Sequence, residues 1–357
     1  MSGEGPVTKK QHYVPKFYLR PFLNENGVVE ILDVGHRKFL TPKGVKGICY
    51  EHYFYGIETG QLDEVSQEIE AAFQQTEDKL AKDLNLIIPK ILNNEQILHT
   101  EKWTVAFLMS MLWMRGPAMR QRINGMSETV LKQMNAIQFG SQFADRMFDS
   151  FDKDTGNVTT SEMRAQIRAM MVGKNYDVAF NNQLHLAIFE DMHRFANLFF
   201  AQHWTVYISK LPQKFITSDS PVAVTFPKRK SFYGPTFLER IHYFPLTPEI
   251  CIMAGFPHVE SGKKFHRKTL LRGQEVRLLD LNVTISNHAH QFAYATEKKS
   301  LEEILATVKK LEQFVSTPQG KQIQKMFEEG QDLTKGAGRA AAIKTLLNSE
   351  TKPNNLL

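Results

Sequence analysis

Two cysteines, Cys49 and Cys251, are all the thiol chemistry in 357 residues. They are far apart and lack CxxC or CxxxH spacing, which excludes a disulfide-stapled scaffold and a zinc knuckle. Two buried thiols in a reducing cytoplasm are the expectation. Other signatures are missing too: the chain has no GxxxxGK[ST] phosphate loop, no GxGxxG turn, no HExxH, no GxSxG and no EF-hand calcium loop. Nucleotide-driven motors, nicotinamide enzymes and the commonest metallopeptidases and esterases lose most of their case. The longest uncharged apolar run, Thr104 to Met114, is well short of the ~20 residues that span a bilayer, so no membrane span is expected. The opening MSGEGPVTKK lacks the apolar centre of a secretory signal, which again points to the cytoplasm.

Charge of one sign is also scarce as a feature. The formal net charge of +6 is scattered, with denser groups at Lys228-Arg229-Lys230 and from Lys263 to Arg272. That permits nucleic acid or another polyanion as a partner without singling it out. With 42% hydrophobic and 23% charged residues the composition is globular. At about 150 residues per domain, the length suits two domains or one elaborate one.

Patterning divides the chain further. Residues 1–10 are expected to be disordered. Residues 11–60 form a small β-rich segment, because VVEILD at 28–33 is flanked by Asn26-Gly27 and Gly35, and a second extended piece covers 46–55. An α-helical block spans 61–202. Within it Val65, Ile69, Phe73, Leu80, Leu84 and Ile87 recur at helical spacing until about Pro89, and a second helix begins near Thr100 and breaks at Gly116-Pro117. Further helices are predicted at 125–148, 161–172 and 177–202. Short branched or aromatic segments then follow, WTVYIS, KFITS, PVAVTF, IHYFP and EICIMAG, and read as an antiparallel β region over 203–298. Ser300 and Glu303 match a capping box that opens C-terminal helices over 299–330, and 331–357 reads as a flexible tail. The fold class is α+β: a central antiparallel β-sheet with a large α-helical block packed against it.

Candidate chemistry is sparse. In QHYVPKFYLR, residues 11–20, the His12 imidazole is a general base or metal ligand on one reading and a hydrogen-bonded core histidine on the other. Arg20 clamps an anion or pairs with a helix carboxylate. An unbroken strand through this stretch would aim both residues to one face, since their offset of eight is even. Asp219, in FITSDSPVAV, orients a histidine, holds a metal or acts as a base, or else it forms a turn with its own backbone. Arg115 completes an apolar helix, where the macrodipole favours a cation. Glu70 lies on or beside the buried stripe, an unusual place for a carboxylate unless Arg20 or Arg115 reaches it.

The ordered set QHYVPKFYLRPF, FITSDSPV, HYFPLTPE and DLNVTISNHAHQFAYA resembles a bacterial family catalogued as domain of unknown function four-two-three-eight, over about Lys10 to Ala295. The match includes His12, Tyr13, Pro15, Arg20, Tyr55, Glu70, Arg115, Asp219, Pro245 and Asn282. It departs at Ser220, where the family often has Asn. The resemblance implies that His12, Arg20, Glu70, Arg115, Asp219 and Asn282 meet in one cleft. Two functions follow as expectations. One is a hydrolase of a phosphate-containing substrate, plausibly a nuclease. Its catalytic residues would be His12, Asp219 and Glu70, with Arg20, Arg115 and Asn282 binding substrate and a divalent magnesium or manganese ion compatible with the set. The other is a non-catalytic sensing or protein-interaction module, in which the same residues form a structural polar network.

Overall fold

A computed structural model of the chain describes residues 8–58, 61–225, 240–255 and 265–318. Residues 1–7, the basic group at 228–230 and the tail at 331–357, each the subject of an expectation, lie outside the described residues. In chain order the elements are β1 (Lys10–His12), α1 (Lys16–Leu19), β2 (Val29–Asp33), β3 (Lys38–Lys43), β4 (Tyr50–His52), α2 (Glu64–Leu92) and α3 (His99–Arg115). Next come α4 (Pro117–Gly140), α5 (Phe143–Thr155), α6 (Ser161–Gly173), α7 (Gln183–Ala187) and α8 (Met192–Ala201). The last are β5 (His203–Ser209), β6 (Thr217–Ser218), β7 (Ala223–Thr225), β8 (Ile241–Thr247), β9 (Ile250–Gly255), β10 (Phe265–Leu270), α9 (Glu275–Asn287), β11 (Phe292–Ala295) and α10 (Lys298–Ser316).

The chain divides into two compact units, one of Met1–Pro117 with Ile188–Leu357 and one of Ala118–Ala187. The α+β class holds. In the first unit a five-stranded sheet has the order β10-β5-β9-β8-β7, a four-stranded sheet the order β3-β2-β11-β6, and β1 pairs with β4 alone. Pairing is antiparallel throughout except at β10, which runs parallel to β5 from Phe265 beside Trp204 to Leu270 beside Ser209. Tyr207, Phe215, Cys251, Leu281, Ala293 and Leu301 belong to one core, which joins strands of both larger sheets to α9 and α10.

Local chemistry sets the helix limits near the candidate site. The Asp63 carboxylate caps α2 by accepting from the Ser66 N–H at 2.6 Å, and its other oxygen accepts from Ile57 N–H at 2.7 Å. Pro89 lies inside the last turn of α2. The helix α3 stops at Arg115 because Gly116, directly before Pro117, is extended at φ −73°, ψ 157°. Pro117 then opens α4, as proline suits a first helical position.

Four expectations change in detail. The stretch 125–148 is two helices, separated after Gly140, and 177–202 is broken between α7 and α8. The helix α9 falls within the stretch expected to be β. Its residues from Leu281 to Ser286 are buried without interruption, which removes the polar face that would have marked it, and Val283-Thr284-Ile285 gives it strand-like composition. Finally α10 begins at Lys298 with Glu297 as its cap, so Ser300 lies inside the first turn rather than at the predicted cap.

Candidate functional site

The opening motif is extended only as far as His12. Gln11 is fully buried: its amide N–H donates to Ser66 Oγ at 2.6 Å, and its amide oxygen accepts from Tyr55 N–H at 2.8 Å. The His12 ring is also buried, with Nε2 3.3 Å from the Val45 carbonyl and the ring centroid 5.6 Å from that of Tyr50. Burial, reinforced by the cations Lys16, Arg115 and Lys10, lowers its pKa to about 4, so the ring is neutral at pH 7 and donates to Val45. Pro15 then caps α1, and a 3-10 turn at Arg20–Phe22 follows. The strand premise therefore fails beyond His12. Arg20 is exposed; its backbone N–H donates to the Lys16 carbonyl and its carbonyl accepts from Leu23 N–H at 3.1 Å, while its side chain makes no hydrogen bond or ion pair with the described residues.

The aromatics of the motif pack. Tyr18 donates to the Pro245 carbonyl at 2.6 Å, lies 2.8 Å from Thr217 Oγ1, and stacks on Phe244 at 5.5 Å. One phenol thus reaches β8 of the five-stranded sheet and β6 of the four-stranded sheet.

Arg115 is the centre of the polar cluster, with 1% of its surface exposed. Its NH2 group donates to the His12 carbonyl at 2.6 Å, Nε to Tyr55 Oη at 2.8 Å, and NH1 to Glu77 Oε1 at 2.7 Å. The guanidinium also lies 3.9 Å from the centroid of Phe73, a cation–π contact. The Tyr55 hydroxyl donates in turn to the His12 carbonyl at 3.1 Å. Residues 66, 70, 73 and 77 fall on one face of α2, so one helical stripe supplies Ser66, Glu70, Phe73 and Glu77.

Glu70 has no such bonds, and its Oε2 is buried without a hydrogen-bond partner. Burial raises its pKa to about 7, with Glu77 adding to the rise and Arg115 and Lys16 opposing it. The expected cation for Glu70 is therefore Arg115, acting through space while its direct ion pair is with Glu77.

Asp219 and Asn282 have other partners, although the Asp219 carbonyl lies against Gly116, the residue after Arg115. Both carboxylate oxygens of Asp219, which is 1% exposed, accept backbone N–H groups: His290 at 2.7 Å, Gln291 at 2.8 Å and Phe292 at 2.9 Å. Burial pushes its pKa up while these three amides pull it back. Asn282, on α9, accepts from Ile216 N–H at 3.1 Å and donates to the Lys214 carbonyl at 2.9 Å. Two side chains thus pin the FITSDS segment at either end.

The structure brings His12, Glu70 and Arg115 together, the first through its carbonyl. The His12 ring and the Asp219 carboxylate do not bond to each other and have different partners; neither Asn282 nor the Arg20 side chain bonds to the Arg115 cluster. Among the described residues no three His, Cys, Asp or Glu side chains are grouped as metal ligands. Sequence reasoning missed Gln11, Ser66 and Glu77. Glu77 was legible as Glu70 plus two helical turns; Gln11 carries no signal beyond its place in the motif, and Ser66 carries none. Beside the cluster an apolar pocket of about 210 Å³ is lined by Phe73 and Met111, which both touch Arg115, and by Phe107, Phe189 and Met192.

The fold and site define an α+β protein whose opening motif is held by a buried, arginine-centred polar network. The chain belongs to the family described as Protein of unknown function (DUF4238), which matches residues 10–299. No curated protein and no solved structure matches it.

Proposed function

We propose that the protein is a non-catalytic sensing or protein-interaction module, in which the motif residues lock the N-terminal segment onto α2 and α3. The observation that carries this reading is the occupancy of the polar groups. Asp219 accepts three backbone N–H groups, and Arg115 donates to a backbone carbonyl, a phenol and a carboxylate. Groups so engaged fix a conformation and have little capacity left for substrate. The pocket that shares Phe73 and Met111 with Arg115 supports a sensing role, because an apolar ligand entering it would press on the lock. A cytoplasmic location belongs to this reading, on the support of two buried, free thiols.

A second reading, hydrolysis of a phosphate-containing substrate such as nucleic acid with magnesium or manganese, draws on Glu70. A carboxyl with a pKa near 7 and an unbonded oxygen suits general acid–base work. The two readings separate in one experiment. DNA and RNA are incubated with wild-type protein and the Glu70→Gln, His12→Ala and Asp219→Ala variants, with each metal, alongside thermal unfolding. The lock reading expects no cleavage by any of the proteins and a melting temperature lowered by several degrees in Asp219→Ala. Cleavage by wild type that Glu70→Gln abolishes without loss of stability overturns it in favour of the second.

A further inference from the structure

The unit Ala118–Ala187 carries apolar surface that nothing in it covers. On α4, Met126, Val130, Met134 and Ile137 follow helical spacing and are all exposed, Met126 by 72% and Ile137 by 71%. On α5, Phe143, Met147 and Phe151 repeat every four residues and are exposed too, the two phenylalanines by more than half. Taking about 200 Å² for each fully exposed side chain of this size, the two stripes present on the order of 800 Å². Little is buried in exchange, since α5 buries only Ala144 and Phe148, and no residue of α6 is buried.

The charges of this unit argue against a polyanion or a lipid surface as the covering partner. Residues 118–187 hold eight Lys or Arg and seven Asp or Glu. Many of them pair within the unit: Lys132 with Glu128, Arg164 with Asp149 and Asp152, and Arg168 with Asp145. A face of adaptable side chains, Met126, Met134 and Met147 among them, in a near-neutral unit favours another face like itself.

We propose that α4 and α5 form a self-association surface, and that its occupant is the same surface of a second copy of this chain. The area suffices on α4 alone: a stripe on the order of 500 Å² packed on its counterpart buries about 1,000 Å² in total, the lower end of a specific interface. This inference goes beyond the lock reading, which concerns residues of the other unit.

Sedimentation of the full chain tests it, with the mass compared against the 41.0 kDa monomer. Wild type is expected at twice that mass. The double variant Met126→Glu, Ile137→Glu and, separately, Phe143→Lys, Phe151→Lys are each expected at the monomer mass, with unchanged circular dichroism. Leu271→Glu, at an exposed leucine of the first unit, is expected to remain dimeric. A monomeric wild type overturns the inference. So does a dimer that survives both double variants, or one that Leu271→Glu dissociates equally.

Discussion

The guanidinium of Arg115 holds the carbonyl of His12 at 2.6 Å across 103 residues of sequence. A helix end thus grips the backbone of the motif rather than its imidazole. Replacing Arg115 by Met keeps the length but leaves Glu77, Tyr55 and the His12 carbonyl without this donor. The expected cost is roughly 3–5 kcal/mol, the range for breaking a buried charged pair from one side. Urea unfolding measures it, and Arg115→Lys should recover only part, because an ammonium cannot reproduce three divergent planar donors.

Glu70 and His12 pull the pH dependence in opposite directions. Glu70 has a folded pKa near 7, above its ordinary 4.5, so its contribution to stability is complete below pH 4.5 and is lost as pH rises through 7. His12 has a folded pKa near 4, below its ordinary 6.5, so its contribution is complete above pH 6.5 and is lost as pH falls through 4. Between pH 4.5 and 6.5 the two slopes oppose each other. Glu70→Gln should therefore steepen the rise in stability with pH over that window. The same variant should melt higher than wild type at pH 8, where removing a desolvated carboxylate relieves its cost. Melting temperatures at pH 5, 6.5 and 8 are the check, and identical profiles for variant and wild type would count against the burial of Glu70.

Tyr18 joins the two larger sheets through one hydroxyl. Tyr18→Phe removes the donor to Pro245 and leaves Thr217 Oγ1 without its phenol partner. A loss of about 1–3 kcal/mol is expected by chemical denaturation, the range for a buried group left unsatisfied. A change below 0.5 kcal/mol, roughly the scatter of surface substitutions, would contradict that assignment.

These effects bear on how much was legible in the sequence. Periodicity located α2 through its buried stripe of Phe73, Leu80, Leu84 and Ile87, while the apolar run Thr104 to Met114 located α3 and short branched or aromatic segments located most strands. It failed for α9, whose residues from Leu281 to Ser286 are all buried, and for β10, whose parallel pairing with β5 no local pattern announces. The resemblance supplied the set of six site residues, and three of them converge, His12 through its carbonyl. Arg115 and Glu70 were legible as a cation and a carboxylate on apolar faces. Asp219 was legible as a special acid at a strand end, but its partners are backbone amides 71 to 73 residues away, which no side-chain pattern encodes. The common face expected for His12 and Arg20 does not apply, because Pro15 caps a helix where an unbroken strand would be needed.

Lys102 offers an independent test of the same physics. Its ammonium is buried and donates to the carbonyls of Phe200 at 2.7 Å and Gln202 at 2.8 Å, at the end of α8. It also lies 4.9 Å from the ring centroid of Trp204. A cation is favoured at a helix C-terminus, and here it ties α3 to α8. Lys102→Met should lower stability by about 2–3 kcal/mol, with charged-group hydrogen bonds lost and carbonyls left bare. Calorimetry measures the loss.

Hydrogen exchange tests the polar lock most directly. Amide protection is followed in wild type, Arg115→Met and Asp219→Ala under conditions where all three are folded. The account predicts that Asp219→Ala loses protection first at His290, Gln291 and Phe292, and that Arg115→Met loses it along residues 10–23. Native protection at those amides in both variants would contradict it.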